Sequence, residues 1–95
     1  MFSLKLINLA DKKLVGFKIE SVSPPLLIIM GEKGILSCGY FSMEAAEKFN
    51  VAVAIVKGVE TFEDMLKARV QDLSAAAEKL GIKKGDLGEK ALSKL

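Results

Sequence analysis

The chain has 95 residues, a net charge of +2 and 51% hydrophobic side chains, with a mean hydropathy of +0.32 but only 6% aromatics. That bounds it to one small domain, apolar for its size, and the surplus of aliphatic residues predicts that part of its surface is covered by another subunit. Charge is spread evenly, seven basic and six acidic residues in 1–60 and the same in 61–95, so the basic stripe of a nucleic-acid binder is missing.

There is one cysteine and no histidine. An intrachain disulfide, Cys-rich or His-containing metal sites, and Ser-His-Asp or Cys-His nucleophilic systems are thereby excluded. No cofactor motif is present, and no metal or cofactor is expected. The first residues, Met1-Phe-Ser-Leu-Lys-Leu6, do not follow a signal-peptide pattern, and the longest apolar run, Pro24 to Met30, is far short of the roughly 20 residues of a membrane span. A cytoplasmic protein with no membrane contact is the expectation.

In chain order, Phe2 to Leu9 alternates as a strand, Asn8 to Lys13 supplies a turn, and Leu14 to Glu20 alternates again through Val15, Phe17 and Ile19. Ser3, Lys5, Lys18 and Glu20 are expected on the solvent side of this meander. Pro24-Pro25 marks an edge or a crossing between strands. Leu26 to Met30 is an unbroken apolar run suited to a strand covered on both faces. Gly31-Glu-Lys-Gly34 predicts a hairpin turn into an antiparallel strand, Ile35 to Tyr40.

Ser42 stands at an N-cap position, followed by a two-turn helix with Met43, Ala46 and Phe49 inward and Glu44 and Glu47 in its first turns. Val51 to Val56 is a further apolar strand. Strand, helix and strand within about 25 residues predict a βαβ unit with parallel strands and a right-handed crossover. Thr61-Phe-Glu-Asp64 reads as a variant capping box opening a long helix from Phe62 to about Leu80, stopped by Gly81. A last short helix, capped by Asp86, turns Leu87, Ala91, Leu92 and Leu95 inward. Gly88 within it lowers helix propensity by about 1 kcal/mol and predicts close packing. The expected fold is a single α+β domain over 1–95 in the order ββββαβαα, with a mixed, mostly antiparallel sheet and helices packed against it.

The glycine hairpin, the Cys38-Gly-Tyr40 step, Met43-Glu-Ala-Ala-Glu-Lys-Phe49, Lys57-Gly-Val-Glu-Thr-Phe-Glu-Asp-Met-Leu66 and Gly81-Ile-Lys-Lys-Gly-Asp-Leu-Gly-Glu-Lys-Ala-Leu92 come in an order that resembles the YunC-like family, a domain of unknown function (DUF1805). The resemblance implies a small α+β domain whose N-terminal β region, about 1–40, forms a tetramer interface, with 41–95 completing the βαβ unit and the C-terminal helices. It brings no activity, cofactor or catalytic residue. Asn50, where the family favours Gly, bears only on a helix C-cap, because Asn also tolerates a left-handed backbone.

Two side chains are candidates for chemistry. Cys38 falls at the carboxyl end of one parallel strand, near a helix start, where ligands gather in open α/β sheets and where a thiol can be activated. Lys57, at the end of the partner strand, adds positive charge there, and Glu44 opposes it. Against this, a free cysteine in a strand is most often a small buried hydrophobe. Arg69 falls at about −20° on a 100°-per-residue helical wheel, between Leu73 at about +20° and Ala76 at about −40°, in the middle of the apolar stripe. Its charge must then reach the rim, pair with a carboxylate such as Glu60 or one from another subunit, or hold an anion. Gly31-x-x-Gly34 precedes a strand rather than a helix and is no phosphate loop. The function expected is a homo-oligomeric binding or structural module, dimer or tetramer. The alternative is a small-molecule enzyme or sensor using Cys38, with Lys57, Thr61 or Arg69 assisting.

Overall fold

The computed structural model describes residues 2–21 and 25–95. Its centre is a six-stranded sheet whose strands lie in sequence order: β1 (Phe2–Leu9), β2 (Lys12–Ile19), β3 (Leu26–Met30), β4 (Gly34–Ser37), β5 (Ala52–Ile55) and β6 (Asp72–Leu73). Only β4 and β5 run parallel; the other neighbours are antiparallel. The Gly31–Gly34 hairpin closes as expected, with Gly31 N–H donating to the Gly34 carbonyl at 2.8 Å. Pro25 precedes β3; the expectation for Pro24 lies outside the described residues.

The parallel pair is joined through α1 (Met43–Lys48), and Ser42 caps it by accepting from Ala45 N–H at 3.2 Å. Asn50 takes the left-handed backbone that ends this helix, φ +56°. Phe49 departs from expectation. The helix stops at Lys48, so Phe49 becomes the C-cap, turns outward and is 71% exposed beneath the Lys48 ammonium.

The long helix does not form. α2 (Phe62–Lys67) ends when Ala68 turns extended at ψ 158°, β6 follows, and the chain re-enters a helix as α3 (Ala75–Lys79). The cause lies at the sheet edge. β5 is buried along its whole length, and an unpaired edge there would leave peptide groups unsatisfied. Instead Gln71 N–H donates to Ile55 and Ser74 N–H to Val53, each within 2.9 Å. Ser74 fixes the exchange: its hydroxyl accepts from Val53 N–H at 3.0 Å and from Ala77 N–H at 3.2 Å, capping α3, and donates to the Val51 carbonyl at 2.7 Å. A continuous helix would forfeit all of these. Arg69 consequently has no helical stripe to occupy. It forms an isolated bridge with Leu87, lies exposed, and donates from Nη1 to the Gly85 carbonyl at 3.0 Å.

The final helix, α4 (Gly88–Lys94), starts later than expected, with Leu87 rather than Asp86 at its N-cap. The Asp86 carboxylate instead accepts from Lys83 N–H at 3.0 Å, holding the turn before the helix, and lies 3.7 Å from the Lys90 ammonium. Gly88 packs as predicted. Its N–H donates to the Ala68 carbonyl at 2.7 Å, and a Cβ there would overlap the Met65 carbonyl oxygen. The C-terminal Leu95 is buried, and its carbonyl accepts from Lys33 and Gly34 N–H, tying the end of α4 to the β3–β4 turn.

The two sheet faces are unequal. One carries Ile7, Leu14, Leu27, Ile29, Leu36, Ala54 and Val56 into the main core, where Met65, Val70, Ile82, Ala91, Leu92 and Leu95 close over them. The other is covered only by α1, whose Ala46 packs on Val53 and Ile55. Ser3, Lys5 and Lys18 share the helix-covered face with Ile7 and Leu14, at its open corner, rather than facing bulk solvent alone. It is Phe2, Leu4 and Leu6 that face outward, at 58%, 59% and 65% exposure.

Two expected outcomes follow from these contacts. Gly88→Ala should destabilise the protein by about 2 kcal/mol in urea denaturation despite its better helix propensity, because overpacking against backbone outweighs that gain. The Lys83 N–H bond, with the nearby lysine charges, holds the Asp86 carboxyl below its ordinary 3.8. A depressed folded-state value contributes stability above pH 3.8 that is lost as pH falls through the lowered value. Asp86→Asn should therefore be less stable than wild type at neutral pH, and thermal melts should show the gap closing below that range.

Candidate functional site

Because β4 and β5 are parallel and adjacent, the segments that follow them leave the sheet at one edge. Val56 N–H donates to the Ser37 carbonyl at 2.9 Å, extending the pairing by one residue before the chains part. Between the parted segments lies a cleft of about 560 Å³, lined by Pro25, Cys38, Gly39, Tyr40, Lys57, Gly58, Val59 and Glu60. This is the carboxyl-end position where sheets with parallel strands commonly take ligands.

Cys38 forms part of the inner wall and is 5% exposed. It sits one residue past the last β3–β4 ladder pair, Ile28 with Ser37. Cys38 N–H donates to the Leu27 carbonyl at 3.0 Å, but the return bond is not to a carbonyl. Leu27 N–H donates to the thiol Sγ at 3.4 Å, while the Cys38 carbonyl turns to accept from Ser37 Oγ at 3.1 Å and from Phe41 N–H at 3.4 Å. The thiol thus satisfies a buried peptide donor at the end of the ladder, a structural task.

Lys57 is brought to the same cleft. Its aliphatic stem lies across Gly39, where a Cβ would be 3.7 Å from Lys57 Cγ. Thr61 is not: its hydroxyl accepts from Asp64 N–H at 3.0 Å as the cap of α2, and it borders a separate cleft with Ser3, Lys5 and Lys18. The capping box is shifted by one position, since the short Asp64 carboxylate accepts from Glu60 N–H at 3.1 Å rather than from Thr61. Arg69 stands apart, on its bridge to Leu87, and among the described residues it makes no ion pair with Glu60. Glu44 lies in the first turn of α1 and does not line the cleft.

Sequence reasoning did not assign Tyr40, Gly58 or Glu60 to this cleft, and named Glu60 only as a partner for Arg69. The signal was present, because Lys57-Gly-Val-Glu60 directly follows the strand partnered with β4, but it becomes readable only once the two strand ends are known to coincide. Gly58 adopts φ +72°, a conformation that side chains rarely take, and the space around it is open. Among the described residues, no group of three His, Cys, Asp or Glu side chains converges as a metal site would require, and no helix is long and apolar enough to cross a membrane.

A solved structure shares this fold throughout. A protein of unknown function, TA1206 from Thermoplasma acidophilum, superposes with a TM-score of 0.94 at 38% identity, covering 100% of this chain and 93% of that one. The likeness therefore includes the β1–β3 meander. No curated protein matches the sequence. The profile of DUF1805, a domain of unknown function, matches residues 37–95, from the last residue of β4 through α4. The chain belongs to the DUF1805 family.

Proposed function

We propose that the protein is a self-assembling module in which a second copy covers the outer face of the β1–β3 meander. One observation carries this reading. The ladder register stacks three rows of apolar side chains across three strands: Leu6, Val15 and Met30; Leu4, Phe17 and Ile28; Phe2, Ile19 and Leu26. By strand alternation all nine share the face that α1 covers only over β4 and β5, and Leu26, at the corner of the grid, also packs against the main core. The Phe2 and Phe17 rings meet at 5.9 Å, so the surface is already packed laterally.

At ordinary strand spacing the grid is about 14 by 20 Å, a flat footprint of about 300 Å² before side-chain relief is added. A patch of that size is comparable to the largest on a typical monomer, where such patches often serve binding, and with a rim it would suit the apolar centre of an interface of about 800 Å² per partner. A flat sheet face suits a second copy best, because two such faces pack as a sheet sandwich with a two-fold axis between them. The open edge of β1, eight residues long and free of proline, offers a second self-complementary surface. One surface makes a dimer and both make a tetramer. On this reading residues 1–40 serve assembly, and 41–95 complete the βαβ unit. The even charge distribution argues against nucleic acid as the partner, and a single buried thiol with no disulfide suits the cytoplasm.

Light scattering at micromolar concentration tests the proposal. Wild type should exceed the 10.2 kDa monomer mass. Leu4→Glu with Leu6→Glu should give a folded monomer with an unchanged circular dichroism spectrum, since both side chains are exposed within one copy. A monomeric wild type would contradict the reading.

A further inference from the structure

We infer that the cleft at the carboxyl ends of β4 and β5 binds a small zwitterion of the amino-acid class. The cleft is built within one chain, so the inference stands apart from the assembly reading. Its volume of about 560 Å³ falls in the range of small-molecule sites. Pro25, Cys38 and Val59 give it apolar wall, while the charges on it are one ammonium, Lys57, and one carboxylate, Glu60.

Those two charges decide the ligand class. Among the described residues, neither side chain makes an ion pair or a side-chain hydrogen bond, with each other or with any neighbour. The Lys57 stem lies over Gly39, and the Glu60 N–H donates to the Asp64 carboxylate at 3.1 Å. In the same cleft-lining segment, the peptide N–H groups of Lys57, Gly58 and Val59 donate to no acceptor among the described residues. Gly58 is left-handed at φ +72°, a backbone conformation that also occurs in the concave peptide turns that hold anions.

A carboxylate can therefore bridge the Lys57 ammonium and the 57–59 peptide groups, and an ammonium can pair with Glu60. An apolar side chain would then rest on Pro25 and Val59. A phosphate or nucleotide would instead bring two or more negative charges to a wall that carries a carboxylate and only one cation. Both charged groups are solvent-accessible, so each contributes modestly, and a dissociation constant on the order of 0.1–1 mM is expected.

Tyr40 lines the cleft, and as the sole tyrosine in a chain without tryptophan it reports on occupancy. The experiment titrates the full chain with L-leucine, with isovalerate (its skeleton with the carboxylate alone), with isopentylamine (the amine alone) and with inorganic phosphate. Tyrosine emission is followed, with calorimetry as an independent readout. L-leucine should saturate, both single-charge analogues should bind at least about fivefold more weakly, and Lys57→Ala and Glu60→Gln should each weaken leucine by about fivefold or more. Arg69→Ala, remote from the cleft, should leave binding unchanged. Absence of saturation with leucine at about 10 mM overturns the inference. So does isovalerate or phosphate binding as tightly as leucine, or leucine affinity that ignores both substitutions in variants shown by circular dichroism to be folded.

Discussion

A six-stranded sheet has two faces, and this chain has helices enough to cover only one of them fully. α2, α3 and α4 close the core over one face, and α1, six residues long, reaches only β4 and β5 on the other. Everything distinctive about the molecule follows from that inequality. The strands nearest α1 are apolar on both sides, as a doubly covered strand must be, and every residue of β5 is buried. The strands beyond α1 are also apolar on that side, and no helix among the described residues covers them. Water against a three-by-three aliphatic and aromatic surface is an unfavourable contact, and it is the contact that the proposed assembly would relieve.

The same topology produces the cleft. Four of the five neighbouring strand pairs are antiparallel, and only the α1 crossover makes a parallel pair. Parallel neighbours end on the same side, so Cys38 and Lys57, 19 positions apart in sequence, come to one place. Antiparallel pairing would have sent them to opposite edges. The lone cysteine proves to be part of the scaffold of that place, taking up the Leu27 N–H where the ladder ends, while the exposed residues Lys57 and Glu60 line the cleft beside it.

Much of this was legible in the sequence, and the exceptions share a cause. The strand order, the Gly31–Gly34 hairpin, the parallel crossover, the Ser42 and Thr61 caps and the close packing at Gly88 are set by residues within a few positions of one another. The 68–74 segment was misread because its helical periodicity is genuine, yet tertiary hydrogen bonding to the edge of β5 overrides it. Asp72 and Ser74 were the local hint, as both favour caps and turns over helix interiors. Arg69 as a buried charge depended entirely on that helix and vanished with it. Which face of β1 and β2 points outward was invisible to alternation alone, since alternation separates two faces without saying which one the helices will choose.

If the outer face of the meander is covered by a second copy, folding and assembly are one equilibrium rather than two. The most direct measurement is the urea midpoint of the wild-type protein at concentrations spanning about two orders of magnitude. Coupled folding and association predicts a midpoint that rises with protein concentration. A midpoint independent of concentration would show that one copy is stable with its apolar face in water, and would contradict the account.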